Sequence, residues 1–441
     1  MRNYRGSQVV IIGLGITGLS CVNFFLDRGV IPKVIDTRIY PPGIKKLPHV
    51  VQCYLGAFND IWLLSATLIV VSPGVRLDHP VLIEALKLGI EIIGDIELFA
   101  REVTAPIIAI TGSNGKSTVT QLISRMARGV GWCVGVAGNI GVPVLSLLNN
   151  KSYQLYILEI SSFQLDTTYS LRAIAAVILN VSEDHMDHYP GGLKQYWFSK
   201  QRIYKNAKIC VMNALDPLTT PIYNDYDYCI SFGENEDSAD YYLKYYKGHT
   251  WIVAYNEYVL NCSEMRINNR INYINALSAL ALSDIVKIPR SISLKVLCQF
   301  SGLTHRCQLI YKNHGVSWIN DSKATNVNAT KEAINNLKLS GTLHLILGGD
   351  GKLADFSSLR HLIKQHEIHL YCFGKDGLLL TTLGFSDVIL TNTMIQAMCI
   401  INRRIKAKDI VLLSPACSSL DQFKSFEMRG LIFTCFTREF I

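Results

Sequence analysis

Lys116 stands in the run AITGSNGKST, Ala109–Thr118, where a short apolar segment meets a polar, glycine-rich turn. The N–H groups of Gly112, Ser113, Asn114 and Gly115 suit a phosphate cradle. Lys116 suits β- and γ-phosphate oxygens, and the hydroxyls of Ser117 and Thr118 suit Mg²⁺. The spacing departs from the usual GxxxxGK[ST], because Gly112 and Gly115 lie only three residues apart. The plainer alternative is a polar turn with a chance lysine; a strand before it and a helix after it favour the phosphate reading. A phosphate loop needs a carboxylate partner for the metal, and Glu159, closing the run LYILE, is the candidate. His185 sits in SEDHMDHY between Asp184 and Asp187, just after the apolar run AAVILNV. Lys200, read from spacing alone, is an ordinary exposed helical lysine.

A second phosphate-type turn is GLGITG, Gly13–Gly18, directly after VVII and opening a helix. Backbone N–H groups at a helix N-terminus attract phosphate. Asp36, ending the next strand, suits ribose hydroxyls. A tight turn with no ligand is the alternative, and the motif does not say which nucleotide binds. Toward the C-terminus four polar turns follow short apolar runs: His305–Arg306, Asn320–Asn326, Gly348–Lys352 and Ser414–Ser419. Together they read as an anion-binding rim; singly each fits ordinary turn chemistry. A phosphate loop with a candidate metal carboxylate implies that ATP is consumed. Hydride transfer needs no such loop, so ATP-driven transfer or ligation fits better than dehydrogenation.

These turns must be held by strands and helices, and the chain is long enough to supply them. It has 441 residues, 49% hydrophobic and 18% charged, which excludes a mostly disordered chain and allows two to four domains. The net charge of +8 is mild, fits anion handling and does not demand nucleic acid. No uninterrupted apolar run is long enough for a membrane-spanning helix, and no secretory signal is visible, so a cytoplasmic location is expected. The 12 cysteines form no CxxC pair and read as mostly buried small hydrophobes.

Strands are expected at 9–13, 32–36, 67–72, 90–93, 107–111, 155–160, 174–181, 343–347, 370–373 and 410–413. Helices are expected at 18–28, 80–88, 117–127 and 274–284. The stretch 94–103 reads as a connecting segment with Asp95 as a helix cap. The Tyr- and Asn-dense stretch 223–261 reads as β-rich. The alternation predicts an α/β protein of three domains built on parallel sheets buried on both faces. Their expected bounds are 1–94, an N-terminal Rossmann-like domain; 95–302, a central P-loop ATPase-like domain; and 303–441, a C-terminal Rossmann-like domain.

TGSNGKST, EISSFQL, NVSEDHMDHY, the lysine of YWFSK, GLTHR, NDSKATN, LGGDGK and SPACSSLDQFKSFEMRG, in this order, together resemble the Mur ligases of peptidoglycan synthesis. GLGITG…DTR and SPACSSLDQF resemble the branch that adds D-glutamate. The resemblance implies that ATP phosphorylates the carboxylate of UDP-N-acetylmuramoyl-L-alanine to an acyl phosphate, which the D-glutamate amine then attacks. It implies UDP-substrate contacts from Gly13, Gly15, Ile16, Thr17, Asp36, Thr37, Arg38, Gly74 and Asn139. It implies that Gly112–Thr118, with Asn275, Arg306 and Asp321, bind ATP. Ser117 and Glu159 would serve one Mg²⁺, and His185 with a carbamoylated Lys200 a second. Thr325, Lys352, Ser419 and Phe426 would receive D-glutamate, with Lys352 facing its side-chain carboxylate. Lys323 would lie near the transferring phosphate, and Lys116, Glu159, His185, Lys200 and Lys323 would carry catalysis. A monomer with no nucleic-acid partner and no stable membrane insertion is expected.

Members often carry GxHNxxN before the helix at 274–284; here it is NRINYIN, with Asn269 for the glycine and Ile271 for the histidine, while Asn272 and Asn275 remain. The competing readings are folylpolyglutamate synthetase, which lacks the N-terminal UDP-binding domain, a nicotinamide-dependent oxidoreductase, and a non-catalytic nucleotide-binding module.

Overall fold

A computed structural model describes residues 3–236, 239–267, 269–313, 315–384 and 387–439. The Tyr- and Asn-dense stretch therefore includes two positions, 237 and 238, outside the described residues. The chain divides into two compact units, Met1–Val181 with Tyr196–Met265 and Tyr273–Gln299, and Ser182–Gln195 with Arg266–Asn272 and Phe300–Ile441.

The first unit holds two sheets. In the N-terminal sheet β1 (Val9–Ile12), β2 (Lys33–Asp36), β3 (Cys53–Leu55), β4 (Leu68–Val71) and β5 (Glu91–Ile93) run parallel in the order β3-β2-β1-β4-β5. All four residues of β1 and of β4 are buried, as expected of strands covered on both faces. Each fully buried Val or Ile contributes about 1.5–3 kcal/mol of transfer free energy. The order reverses beside β1, so the loops leaving β1, β2 and β4 converge at one sheet edge.

The connecting segment expected at 94–103 is instead a helix, Asp95–Ala100, with Asp95 through Phe99 buried. Gly94 occupies the cap position and Asp95 the first turn, so Asp95 is not the cap. Glu97 explains the burial. Its carboxylate accepts from the N–H groups of Tyr169 and Ser170, from Ser170 Oγ, and from Arg101 Nε.

The central sheet contains β6 (Ile107–Thr111), β7 (Val134–Gly138), β8 (Leu155–Glu159), β9 (Ala175–Ile178), β10 (Ile209–Asn213), β11 (Tyr228–Gly233), β12 (Tyr241–Tyr246), β13 (His249–Ala254) and β14 (Glu257–Asn261), in the order β14-β13-β12-β11-β10-β9-β6-β8-β7. The β-rich reading of 223–261 matches β11–β14. Here the expectation of a wholly parallel sheet is corrected, because β12, β13 and β14 pair antiparallel. Two tight turns allow it. Lys247–Gly248 and Tyr255–Asn256 all have positive φ, the conformation that two-residue hairpins require.

The second unit carries β15 (Gln308–Asn313), β16 (Val316–Asn320), β17 (Leu343–Gly348), β18 (Ile368–Phe373), β19 (Val388–Leu390) and β20 (Ile410–Leu413), in the order β15-β16-β20-β17-β18-β19. Among these six strands as described, β15 and β16 pair antiparallel and the other pairs are parallel, a second departure from all-parallel sheets. Apolar layers cover both faces, one built on Leu343, Leu345 and Leu412, the other on Ile346, Val411 and Phe433. Five of the twelve cysteines are buried and three exposed, so the expectation of mostly buried thiols holds only for those five. Among the described residues no helix is long and apolar enough to cross a membrane.

Candidate active site

The sequence places Gly13–Thr17, Asp36–Arg38 and Gly74 after β1, β2 and β4, which are neighbours, so one sheet edge gathers them. A Cβ on Gly18 would fall 1.8 Å from Gly13 O, so only glycine lets this helix start so near the loop. A Cβ on Gly15 would meet nothing within 4 Å, and the space above the turn is open. Ile16, Thr37 and Arg38 are exposed and Thr17 half-buried around it. Asp36 is buried, and both its oxygens are engaged. Oδ2 accepts from Leu14 N (2.7 Å) and Arg38 Nη2 (2.7 Å), and Oδ1 from Arg38 N and Nε (2.9 Å each). Burial alone would raise its carboxyl, but the bonds from Arg38 and Leu14 outweigh it and hold the pKa below the ordinary value. Asp36 thus braces two loops, and Arg38 occupies the carboxylate that the sequence reading gave to a ribose hydroxyl.

The glycine-rich turn follows β6 and opens helix Lys116–Gly129 through Gly115 at φ +85. A Cβ there would stand 2.6 Å from Asn275 Oδ1, which brings the side chain assigned to adenine against this turn. Asn180, which sequence reasoning missed, fixes the loop. Its Oδ1 accepts from Asn114 N (2.8 Å), its Nδ2 donates to Asn114 O (3.1 Å), and its carbonyl accepts from Ser113 N (2.9 Å). Its position directly beyond an apolar run, at a strand's C-terminal edge, was the available signal. Lys116 Nζ donates to Gly112 O (2.7 Å) and Ser113 O (3.0 Å). Ser117 and Thr118 are buried in the first turn.

The exposed lysine that spacing suggests at 200 is corrected: Lys200 is 1% exposed. Its Nζ donates to Gly112 O at 3.0 Å, the carbonyl that Lys116 also uses, and lies 4.4 Å from the Tyr196 ring centre. Two lysines therefore meet on one backbone oxygen of the phosphate loop.

Glu159 is buried at the end of β8. Oε1 accepts from Asn139 Nδ2 (3.0 Å), and Asn139 N donates to Glu159 O (2.7 Å). Oε2 is buried and has no hydrogen-bond partner among the described residues. An unsatisfied buried carboxylate oxygen is costly, and a cation relieves that cost, so Glu159 with the Ser117 hydroxyl suits Mg²⁺. Among the described residues no group of three or more His, Cys, Asp or Glu side chains is placed to hold a metal ion by itself. Ser117, Glu159 and Lys200 belong to the first unit and His185 to the second.

In the second unit the polar turns are tied together. Lys323 N donates to His305 O (3.1 Å), joining the His305–Arg306 and Asn320–Asn326 loops. Asp350 and Ser418 exchange two backbone hydrogen bonds, joining the Gly348–Lys352 and Ser414–Ser419 loops. Arg429, not singled out in the sequence, links three of the loops at 0% exposure. It donates to Ser322 O (2.8 Å), Ser322 Oγ (3.0 Å), Cys417 O (3.1 Å) and Gly348 O (3.3 Å). Burial pulls its guanidinium down to about 10.

Asp321 is buried and accepts from Ser414 Oγ (2.8 Å) and Cys307 N (3.0 Å); desolvation pushes its carboxyl up to about 6. Lys323 Nζ stands 3.7 Å from the centre of the Phe426 ring. Thr325 is half-buried and Ser419 buried. Lys352, at φ +54, forms an ion pair with Asp184, which also accepts from Asn326 Nδ2 (3.1 Å) and His185 N (2.9 Å). The residues assigned to D-glutamate thus belong to one unit, Thr325, Lys352 and Ser419 on loops and Phe426 at the start of helix Phe426–Glu439, and Asp184 is the partner that the sequence reading left without a role. The departure at NRINYIN has a local compensation: Asn269 Oδ1 accepts from Asn272 N (3.0 Å) and Nδ2 (2.8 Å), capping helix Arg270–Ile285.

A glycine-rich turn opening a helix, with a buried acid on the neighbouring strand, in a chain that carries three α/β sheets, defines the class as a nucleotide-dependent enzyme. Three family models match in order: "Mur ligase MurD-like, N-terminal domain" over 7–94, "Mur ligase middle domain" over 110–283 and "Mur ligase, glutamate ligase domain" over 305–417. The chain belongs to the Mur ligase family. It is 95% identical to the UDP-N-acetylmuramoylalanine–D-glutamate ligase of Blochmanniella pennsylvanica over 440 residues, all of both chains. It is 68% identical to the ligase of that name from Blochmanniella floridana, with 98% of each chain covered. Among solved structures, its fold matches the MurF ligase of Thermotoga maritima in complex with ADP, at TM-score 0.63, 17% identity and full coverage of both. It also matches a pseudomurein peptide ligase type C from Methanothermus fervidus, at TM-score 0.60, 17% identity and 93% and 97% coverage.

Proposed function

We propose that this enzyme joins D-glutamate to UDP-N-acetylmuramoyl-L-alanine by an amide bond, with ATP as co-substrate. The observation that carries the reading is the end-to-end 95% identity to a ligase bearing that activity in its name. A carboxylate is a poor acyl donor, and its phosphorylation by ATP supplies a leaving group. The amine of D-glutamate then forms the C–N bond, and the C–O bond to phosphate breaks.

The domain bounds 1–94, 95–302 and 303–441 accompany this reading. The edge formed by Gly13–Thr17, Asp36–Arg38 and Gly74, with Asn139, binds the UDP-substrate. Gly112–Thr118, Asn275, Arg306 and Asp321 bind ATP, with Lys116 on its β- and γ-phosphates and Lys323 near the transferring phosphate. Ser117 and Glu159 hold one Mg²⁺, and His185 with a carbamoylated Lys200 a second; when bound, these ions neutralise charge on the phosphates. Carbamoylation fits Lys200, since two ammonium groups sharing Gly112 O repel, and an added carboxylate replaces that repulsion with attraction. Thr325, Lys352, Ser419 and Phe426 receive D-glutamate. The protein works as a cytoplasmic monomer.

The test is ADP release with UDP-N-acetylmuramoyl-L-alanine and each of D-glutamate, L-glutamate, L-alanine, L-lysine and diaminopimelate. D-glutamate is expected to give the highest rate, and ADP release in the absence of either carboxylic substrate is expected to be negligible. Better turnover with any other amino acid overturns the assignment.

A further inference from the structure

Resting on the D-glutamate reading, we infer that Asp184 and Lys352 form a clamp that opens for the amino acid, Lys352 taking one carboxylate and Asp184 the ammonium. Both side chains are largely buried, 8% and 12% exposed, and their charges cancel. A ligand segment carrying an ammonium and a carboxylate inserts there without leaving an uncompensated buried charge, turning one ion pair into two. A dicarboxylate lacking the amine would instead set a carboxylate against Asp184.

Both partners are pre-aimed. Lys352 N donates to Asp350 Oδ1 (3.0 Å), and Lys375 anchors Asp350 Oδ2 (2.9 Å), fixing the left-handed backbone from which the lysine projects. The Asp184 carboxylate is held by His185 N and Asn326 Nδ2 in addition to Lys352. A carboxylate offers about four acceptor directions, so a further donor is accommodated. Asn326 also caps helix Val327–Asn335 through Ala329 N, which ties the clamp to a rigid element beside Thr325. Binding by this exchange moves no proton.

The experiment compares D-glutamate with glutarate, the same dicarboxylate without the amine, in the full-length enzyme supplied with ATP, Mg²⁺ and UDP-substrate. KM for D-glutamate comes from ADP release and Ki for glutarate from competition against it. Asp184→Asn preserves shape and removes charge. It is expected to raise the D-glutamate KM at least tenfold, to change kcat much less, and to lower the ratio of glutarate Ki to D-glutamate KM at least tenfold. Asp184→Glu keeps the charge one methylene away and is expected to retain more of that ratio, so it serves where the asparagine variant folds poorly. A ratio within threefold of the parent in both variants, whether both ligands weaken together or neither does, overturns the ammonium site and leaves Asp184 only a prop for Lys352. A parent enzyme that releases no ADP with D-glutamate sinks the ligase reading and the clamp with it; a normal parent with an unmoved ratio sinks the clamp alone.

Discussion

Replacing Arg429 with methionine tests whether one buried guanidinium organises the loops assigned to the amino acid. Methionine is apolar, of nearly the same volume and two atoms shorter, so it fills most of the space while removing every hydrogen bond of the guanidinium. Three carbonyls, those of Ser322, Gly348 and Cys417, lose a donor in a region closed to water. Ser322 Oγ loses one bond but keeps its own donation to Phe426 O (2.8 Å). Each unsatisfied buried carbonyl costs about 1 kcal/mol or more. Relief from burying a charge offsets part of this sum, which leaves a net loss of about 2–4 kcal/mol. Arg429→Lys keeps the charge but cannot span the same acceptors from one nitrogen, so it is expected to recover only a fraction.

Hydrogen exchange in both variants is the direct assay. Peptides covering 320–326, 346–352 and 414–419 are expected to exchange faster together, while those covering 9–13 and 107–118 stay unchanged. The D-glutamate KM is expected to rise, because Lys352 and Ser419 sit on the released loops. Unchanged exchange in those three peptides with an unchanged KM would refute the bracing role.

The remaining predictions address charge and metal. Lys116→Ala is expected to lower ADP release by at least a hundredfold with the fold intact by circular dichroism; unchanged release would remove Lys116 from catalysis. Glu159→Gln is expected to raise the Mg²⁺ concentration giving half-maximal rate several-fold, and an unmoved Mg²⁺ dependence would contradict the role read from its unpartnered oxygen. Burial pushes the Asp95 carboxyl up to about 6, only partly offset by bonds from Gln164 and from the Ile96 and Asp95 N–H groups. The unfolded value is near 3.9, so between about pH 4 and 6 the folded chain binds a proton that the unfolded chain has released, and stability falls as pH rises through that window. Asp95→Asn is accordingly expected to gain on the order of 2–3 kcal/mol relative to the parent at pH 8 and little at pH 4. Equal differences in thermal midpoint at both pH values would refute this.

The strands were legible wherever they are buried on both faces, since runs such as IIAIT and LYILE carry the pattern without help from partners. β7 and the β15–β16 hairpin escaped because glycine, lysine or serine interrupts their apolar runs, and β10 because its run, Ile209–Met212, is only four residues long between polar neighbours. The helix at 95–100 escaped because its burial depends on Glu97 meeting Tyr169 and Ser170, more than seventy positions away. The candidate site divides in the same manner. A contiguous run announced the glycine-rich turn and the helix it opens, but the Lys352–Asp184 pair spans 168 positions and the Arg429–Ser322 contacts 107. No local spacing encodes such contacts; they exist only once the second unit's sheet has formed. Lys200 was misjudged because its spacing is that of a surface residue, whereas the fold turns it onto Gly112.

Asn139 holds Glu159 with both its backbone and its side chain, yet it is also assigned to the sugar-nucleotide substrate. On the proposed assignments, recognition of that substrate and presentation of the cation ligand share one component. Retuning the enzyme toward an altered nucleotide sugar by changing Asn139 would also free the carboxylate behind it, so the two traits cannot be selected separately at this position. On the same assignments, a lineage adapting to another nucleotide sugar would vary the loops after β1 and β2, which are assigned to the substrate alone.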